Sequence, residues 1–271
     1  MAVKESNIRP FYTALILAFV CSFLVAAASV GLRPLQIKNS RLDQQKNILR
    51  AAGLYKKGMA VDKLFASAVE PRIIEIATGR FVPGRDINPA TFNQRAAAID
   101  PKLSRALPRS IDQAGLQRLE KYSLIYLIKK NGRLSRIVFP IRGKGLWSTM
   151  YGYLALGADL NTVIGITFYE NGETPGLGAE IENPAWQAGW RGKKIYKAGR
   201  VDFKVVKGGV RVKGDAALHE VDGITGATLT SKGVNNLLHF WFGKYGFKPF
   251  IDRLRHKDEK LKRPPEVKNN V

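Results

Sequence analysis

The ten residues from Asp222 to Ser231 carry two glycines and four hydroxyl side chains, and an apolar-periodic segment follows them. Glycine lets the backbone turn tightly and approach a ligand closely. A helix that follows would direct its free N–H groups and the positive end of its dipole at this stretch. The stretch therefore suits a phosphate-bearing ligand, with Thr or Ser hydroxyls within reach. An ordinary helix start capped by Thr230 or Ser231 is the alternative interpretation.

Two further glycine-rich loops each follow a predicted strand. The first lies within residues 141–150 and contains Gly143-Lys144-Gly145-Leu146-Trp147, and the second is Glu173-Thr174-Pro175-Gly176-Leu177-Gly178-Ala179-Glu180. Both place large apolar side chains beside hydroxyl groups. Apolar side chains beside polar groups suit a flat ligand with polar edges. Without the third stretch, glycine turns with apolar plugs are the preferred interpretation of both loops.

The elements that must position these loops form an α+β pattern. Two β-rich runs, residues 123–130 and 133–139, flank Asn131-Gly132 and predict a tight antiparallel hairpin. Further strands are predicted over residues 73–82, 163–169, 196–206 and 210–212, with a turn at Gly208-Gly209, and a helix over residues 230–242. We therefore predict an antiparallel sheet with packed helices, preceded by a helical and loop-rich front segment.

The front segment contains two predicted helices. One begins near Ser40 and ends at Gly53, and the other begins near Asp62 and stops before Pro71. Residues 83–118 are rich in turn and breaker residues, so we expect irregular chain there.

The N-terminal region contains 23 uncharged residues, from Pro10 to Leu32. As a helix they would extend about 34 Å, enough to cross the hydrocarbon core of a bilayer. A cleaved signal peptide is the alternative, because Ala26-Ala27-Ala28 resembles a cleavage site, but the apolar run favours a retained anchor. Basic residues lie on both sides of the run and give no orientation.

These features divide the chain into five predicted segments. They are a short N-terminal segment (1–10), a transmembrane helix (11–32), a helical and loop-rich front segment (33–120), a sheet domain (121–250) and a basic tail (251–271).

The formal charge of +22 comes from 44 Lys and Arg against 22 Asp and Glu. So large an excess favours nucleic acid or an anionic surface as a partner. The basic residues are scattered and no nucleic-acid recognition motif accompanies them. We therefore expect no nucleic acid, and consider anionic lipid, a cofactor phosphate or acidic partner proteins instead.

Cysteine and histidine are too few to build a metal centre. Cys21 is the single cysteine, which excludes an intrachain disulfide and a Cys-ligated zinc or iron–sulfur site. The three histidines lack metal-ligand spacing, so we assign no metal. No paired acid and base suggests a catalytic side chain either.

In their order along the chain, the three glycine stretches resemble a known family. Asp222-x-x-Thr225-Gly226-Ala227-Thr228 is similar to the flavinylation motif Asp-x-x-(Ser/Thr)-Gly-Ala-(Thr/Ser) of bacterial membrane redox complexes. With the two upstream loops it resembles the FMN-binding domain shared by NqrC, of the Na⁺-translocating NADH:quinone reductase, and RnfG, of the Rnf complex. The anchor, the following Leu32-Arg33-Pro34-Leu35-Gln36 and residues 45–54 are similar to the NqrC family.

The resemblance implies a covalent FMN. A flavin transferase would join its phosphate to the hydroxyl of Thr228, with Thr225, Gly226 and Ala227 around the attachment point. Asp222 would assist the transferase, by binding its metal or shaping the loop. The remaining expected pocket residues surround the flavin ring: Leu146, Trp147, Glu173, Thr174, Gly176 and Leu177.

The resemblance also implies an electron relay. FMN would receive electrons from a membrane iron–sulfur centre and pass them to the FMN of NqrB, within a complex that also contains NqrA, NqrD, NqrE and NqrF. That complex oxidises NADH, reduces ubiquinone and exports Na⁺. The expected location is the bacterial inner membrane, crossed once, with the FMN domain on the periplasmic side. The alternatives are RnfG and a membrane-anchored scaffold without flavin.

Overall fold

The computed structural model describes residues 8–262 and divides into two units, one ending at Gln45 and one beginning at Lys46. Helix α1 runs from Ile8 to Ala51 and contains Pro34. Among the described residues it is the one helix that is long and apolar enough to cross a membrane, with a mean hydropathy of 2.5 in its most apolar window. The predicted separate helix from Ser40 is wrong, because α1 continues through Pro34. Proline removes one backbone hydrogen bond, but the helix continues on both sides of Pro34.

The second unit contains the remaining helices and all the strands. The helices are α2 Val61–Ala68, α3 Gln94–Ile99, α4 Pro184–Ala188, α5 Thr228–Trp241 and α6 Lys248–Lys262. The strands are β1 Val69–Glu75, β2 Arg80–Val82, β3 Ser104–Ala106, β4 Arg118–Glu120, β5 Tyr122–Lys130, β6 Arg133–Lys144, β7 Thr149–Gly157, β8 Val163–Glu170, β9 Tyr196–Lys197, β10 Arg200–Val201, β11 Lys204–Val206 and β12 Glu220–Asp222.

Six of these strands form one antiparallel sheet in the order β2-β1-β5-β6-β7-β8. The predicted hairpin is confirmed: β5 and β6 join through Asn131 and Gly132, with φ of 53° and 74°. Two positive φ angles match the twist of the flanking strands, and they suit Asn-Gly. The predicted α+β fold, an antiparallel sheet with packed helices after a long apolar helix, is confirmed.

Several predicted elements differ from the structure. Residues 73–82 are not one strand, because a turn ending at Gly79 separates β1 from β2. The β7 strand was not predicted, since glycines interrupt its apolar run. The predicted hairpin around Gly208-Gly209 is also wrong: residues 210–212 form no strand, and β11 pairs in parallel with β12. Repeated glycines and short apolar pairs leave pairing partners undetermined in a single sequence.

The predicted boundary at residue 120 divides strands of one sheet, and the boundary at residue 250 falls inside α6. Strands β1 and β2 belong to the same sheet as β5 to β8, so this sheet draws strands from both sides of residue 120. Helix α6 crosses the predicted start of the tail at residue 251, and Phe250 and Ile251 are buried. Parts of the predicted segments 1–10 and 251–271 lie outside the described residues.

Helices cover both faces of the sheet, and α5 is one of them. One face packs on the end of α1, where Ile48 and Leu49 are buried beside Val138 and Tyr153. The other face packs on α5 and α6. The Trp241 indole donates a hydrogen bond of 2.7 Å to the Arg142 carbonyl oxygen and so ties α5 to β6.

The backbone of helix α5 lies close to the backbone of β6 at Gly233. A Cβ atom added to Gly233 would lie 2.5 Å from the carbonyl oxygen of Lys144. No side chain fits at this distance. Gly233 therefore lets the first turns of α5 lie directly against the loop that follows β6.

Candidate functional site

The candidate site lies at the start of α5. Thr228 is the first helical residue, and Ala227 is the N-cap without a side-chain capping bond. Thr230 and Ser231 lie inside the helix, so the interpretation that either of them caps it is wrong. Their hydroxyls make other bonds: Thr230 donates to the Glu173 carboxylate at 2.5 Å, and Ser231 Oγ accepts from the Ile224 amide at 2.9 Å. Neither hydroxyl accepts a hydrogen bond from the first-turn amides of α5, so these amides are available to another acceptor.

A cavity of about 330 Å³ opens beside this helix start. Its lining comes from β11 and the turn after it, the flavinylation-motif stretch and one face of α5. The lining residues are Val205, Lys207, Gly208, Gly223, Ile224, Thr225, Gly226, Thr228, Ser231, Lys232 and Asn235. The structure thus brings together three of the predicted residues, Thr225, Gly226 and Thr228.

Two lysines in this lining, Lys207 and Lys232, were missed by sequence reasoning. Lys232 could have been found from the sequence, because its spacing from Thr228 places both on one face of a helix, with Ser231 and Asn235. Lys207 had none, because the glycines after it were interpreted as a hairpin turn.

Glu173 joins the two upstream loops to α5. It is 5% exposed, and its carboxylate accepts hydrogen bonds from the backbone amides of Leu146, Trp147 and Ser148 at 3.0, 2.9 and 3.2 Å, besides the Thr230 hydroxyl. The loop after β6, the loop after β8 and the motif-bearing helix therefore share one buried anion. Buried carboxylates need this kind of compensation.

The pKa of Glu173 makes part of the stability depend on pH. Burial raises the pKa of its carboxyl, but the hydrogen bonds from Thr230 and three backbone amides outweigh burial and bring the pKa below its usual 4.5. A carboxylate with a depressed folded-state pKa stabilises the fold above its unfolded-state pKa, and this stabilisation is lost as pH falls through the folded-state pKa.

We expect the melting-temperature difference between the native chain and Glu173→Gln to be constant above about pH 5.5 and to shrink at lower pH. Calorimetry of the detergent-solubilised full chain over a pH series measures it. A melting-temperature difference that grows as the pH falls would contradict a lowered pKa for Glu173.

A second prediction concerns Gly178, which packs against the Glu173 and Thr230 side chains. A Cβ atom at this position would lie 2.6 Å from Thr230 Oγ1 and 2.9 Å from Glu173 Oε2. Both atoms are held by hydrogen bonds, so Gly178→Ala should destabilise the protein by about 1–3 kcal/mol, the usual cost of overpacking. Gly84→Ala is the control, because its Cβ would meet nothing within 4 Å. Equal melting temperatures for the two variants would contradict this packing.

The remaining predicted pocket residues do not line this cavity. Leu146, Trp147 and Leu177 are exposed, and Leu177 lies beside Gly226, whose added Cβ would be 2.9 Å from Leu177 Cδ2. Thr174 and Gly176 lie in the exposed turn after Glu173. Ala227 is buried. Leu229, also exposed, belongs to the same helix start and was not predicted.

The acidic residue of the motif, Asp222, ends β12. Its side-chain Oδ1 accepts a hydrogen bond of 2.7 Å from the Val210 amide, and its carbonyl oxygen accepts one of 2.7 Å from the Trp186 indole. The side chains that the structure describes include no group of three or more His, Cys, Asp or Glu that could hold a metal.

The residues present fit FMN. The exposed Thr225 and Thr228 and the cationic Lys207 and Lys232 line one cavity, as a phosphate requires. The exposed side chains of Leu146, Trp147 and Leu177 offer apolar surface for a ring.

Comparisons with known proteins agree with this geometry. The family described as the FMN-binding domain matches residues 145–243. The C subunit of Na⁺-translocating NADH-quinone reductase from Pseudomonas aeruginosa is 47% identical over 94% of this chain and 98% of that protein. The C subunit from Vibrio vulnificus is 45% identical over 94% of this chain and 98% of that protein.

Solved structures match as well. The crystal structure of Shewanella oneidensis NqrC gives a TM-score of 0.74 at 36% identity and covers 81% of this chain and 99% of that one. The C subunit of the reductase from Parabacteroides distasonis gives 0.64 at 28% identity and covers 81% and 96%. The chain therefore belongs to the NqrC family, the C subunits of Na⁺-translocating NADH-quinone reductases, and its C-terminal half contains an FMN-binding domain.

Proposed function

We propose that this chain is the membrane-anchored, FMN-carrying C subunit of a Na⁺-translocating NADH:quinone reductase, and that FMN is joined to Thr228 by a phosphoester. The observation that carries the proposal is the exposed position of Thr228 at the first residue of α5, on the wall of the cavity. In the linkage, Thr228 Oγ1 loses its proton and forms a P–O bond while the phosphate loses one P–OH bond; counted from FMN, the proton and hydroxyl leave as water, so the protein gains one FMN less one water.

The side chains around Thr228 hold and shield the group rather than perform catalysis. FMN supplies the redox chemistry when bound. Thr225, Gly226 and the first-turn amides of α5 bind the phosphate oxygens, while Leu146, Trp147 and Leu177 cover the ring. Glu173 acts through the loops: by gathering their amides it keeps Leu146 and Trp147 beside α5.

The same proposal includes the place of this chain in its complex. Electrons pass from a membrane iron–sulfur centre to this FMN and then to the FMN of NqrB, with NqrA, NqrD, NqrE and NqrF completing the assembly. Residues 11–32 cross the bacterial inner membrane once, and the FMN domain lies on its periplasmic side. The extent of identity to NqrC proteins supports this choice over RnfG.

Denaturing electrophoresis of membranes from the native host tests the flavoprotein assignment. We expect a band of this chain that fluoresces under ultraviolet light, and an intact mass raised by one FMN less one water. Absence of both would favour a membrane-anchored scaffold without flavin.

The membrane anchor has its own test. We expect the mature protein to retain residues 11–32, which N-terminal sequencing measures, and a C-terminal alkaline phosphatase fusion to be active, since that enzyme folds in the periplasm. Cleavage after Ala28 would instead identify a signal peptide.

A further inference from the structure

A strongly basic loop follows β11 and begins at the cavity. Residues 207–213, called the basic flap below, have the sequence Lys-Gly-Gly-Val-Arg-Val-Lys. Lys207 and Gly208 line the same cavity as Thr228. Among the described residues, no carboxylate lies within ion-pair distance of Lys207, Arg211 or Lys213. Of these three cations Lys207 lines the cavity, where an unpaired cation is available to an anion.

The flap has little intrinsic rigidity. Gly208 and Gly209 both have positive φ, 76° and 85°, in the turn that leads away from β11. Glycine in such a turn has many accessible conformations, so the flap needs an outside contact to keep one of them.

Asp222 provides that contact. Its backbone is paired with Val206, and the next amide, that of Gly223, donates to the Val206 carbonyl at 2.8 Å. Its carboxylate reaches beyond the strand and accepts the Val210 amide at 2.7 Å, inside the flap. No Lys or Arg whose side chain the structure describes forms an ion pair with Asp222. The charge of Asp222 is therefore directed at the flap backbone.

We propose that Asp222 is a positioning residue: it holds the basic flap against the cavity, so that Lys207 neutralises the phosphate carried by Thr228. This inference rests on the proposed function. A phosphate esterified on both sides carries one negative charge, and one nearby ammonium group suffices to balance it. Lys232, on α5, lines the same cavity.

A direct role of Asp222 in the flavin transferase makes different predictions. If Asp222 supplied charge to the transferase or its metal, Asn would be as harmful as Ala, and Lys207 would be irrelevant. If Asp222 positions the flap, Asn retains an oxygen that accepts the Val210 amide and rescues function. Lys207→Gln should then resemble Asp222→Ala, and the double variant should be little worse than either single one.

The test is the rate at which the full-length chain in membranes acquires fluorescent label after the transferase is induced. We expect Asp222→Ala and Lys207→Gln each to slow labelling by about tenfold, the weight of one charge-assisted interaction. Asp222→Asn should stay within about twofold of the native rate. Asp86→Ala is the control, an exposed aspartate paired with Arg85. Equal loss in Asp222→Asn and Asp222→Ala, or a native rate in Lys207→Gln, would overturn the proposal.

Limited trypsin digestion of unlabelled protein tests the flap without flavin. Trypsin cuts after Lys207, Arg211 and Lys213, so release of the flap in Asp222→Ala should speed cleavage there at least about fivefold, while Asp222→Asn and Asp86→Ala stay near the native rate. Unchanged cleavage in Asp222→Ala would overturn the positioning role. A native chain that never acquires label would instead refute the proposed function, and digestion would still decide whether Asp222 holds the flap.

Discussion

Thr228→Ala should abolish covalent flavin while the protein stays folded. Thr228 is exposed and begins α5, and alanine is a better helix former, so the free energy of unfolding should change by no more than about 0.5 kcal/mol. Without Oγ1 no phosphoester forms at this position. The measurement is in-gel flavin fluorescence together with intact mass, which should drop to that of the unmodified chain.

The matched control is Thr228→Ser, which retains the hydroxyl and should retain the fluorescent band. A label that persists on Thr228→Ala would move the attachment to a neighbouring hydroxyl. Thr230 and Ser231 are 1% and 7% exposed and already hydrogen-bonded. Thr225 lines the cavity and is exposed, so it would be the next residue to test.

Glu173→Ala should be the most destabilising change at the site. It removes the shared acceptor of three backbone amides and the buried Thr230 hydroxyl. Donors that lose a buried acceptor cost free energy of desolvation, and we expect a loss of about 2–4 kcal/mol in the free energy of unfolding. Denaturant titration in detergent measures it, and flavin attachment should fall in parallel because the loops separate from α5.

Glu182→Ala is a suitable control, because this exposed carboxylate accepts a single hydrogen bond, from the Asn171 side chain. We expect it to change stability by less than about 0.5 kcal/mol. Adding Thr230→Val to Glu173→Ala should cost less than the sum of the two single changes, since the pair shares one bond. Strict additivity would show that the two residues act separately.

The fold was predictable where local chemistry decides structure. Asn131-Gly132 requires two left-handed residues and predicts its hairpin without further information. The α5 helix follows from apolar spacing and begins only two residues before its predicted start. Strand β7 and the parallel pairing of β11 with β12 depend on partners far along the chain, which no local pattern specifies.

The site was predictable to a similar extent. The hydroxyls and glycines of the motif were visible in the sequence, and the structure places Thr225, Gly226 and Thr228 around one cavity. The buried position of Glu173 was not visible, because charged residues in glycine loops are usually exposed. Lys207 reaches the cavity because β11 pairs with β12. This long-range pairing is not visible in the sequence, so Lys207 was not predicted as a site residue.

The exposure of Trp147 gives the site an optical property. Of the four tryptophans in the chain, Trp190 and Trp241 are fully buried, Trp186 is half-buried and Trp147 is 65% exposed. Indole in water emits at longer wavelength than indole in an apolar core, and flavin absorbs in the range where indole emits. Loading should therefore quench and blue-shift the intrinsic emission, and Trp147→Phe should remove the shift. Under the proposed function, the loop that bears Trp147 thus carries its own spectroscopic reporter of flavin binding.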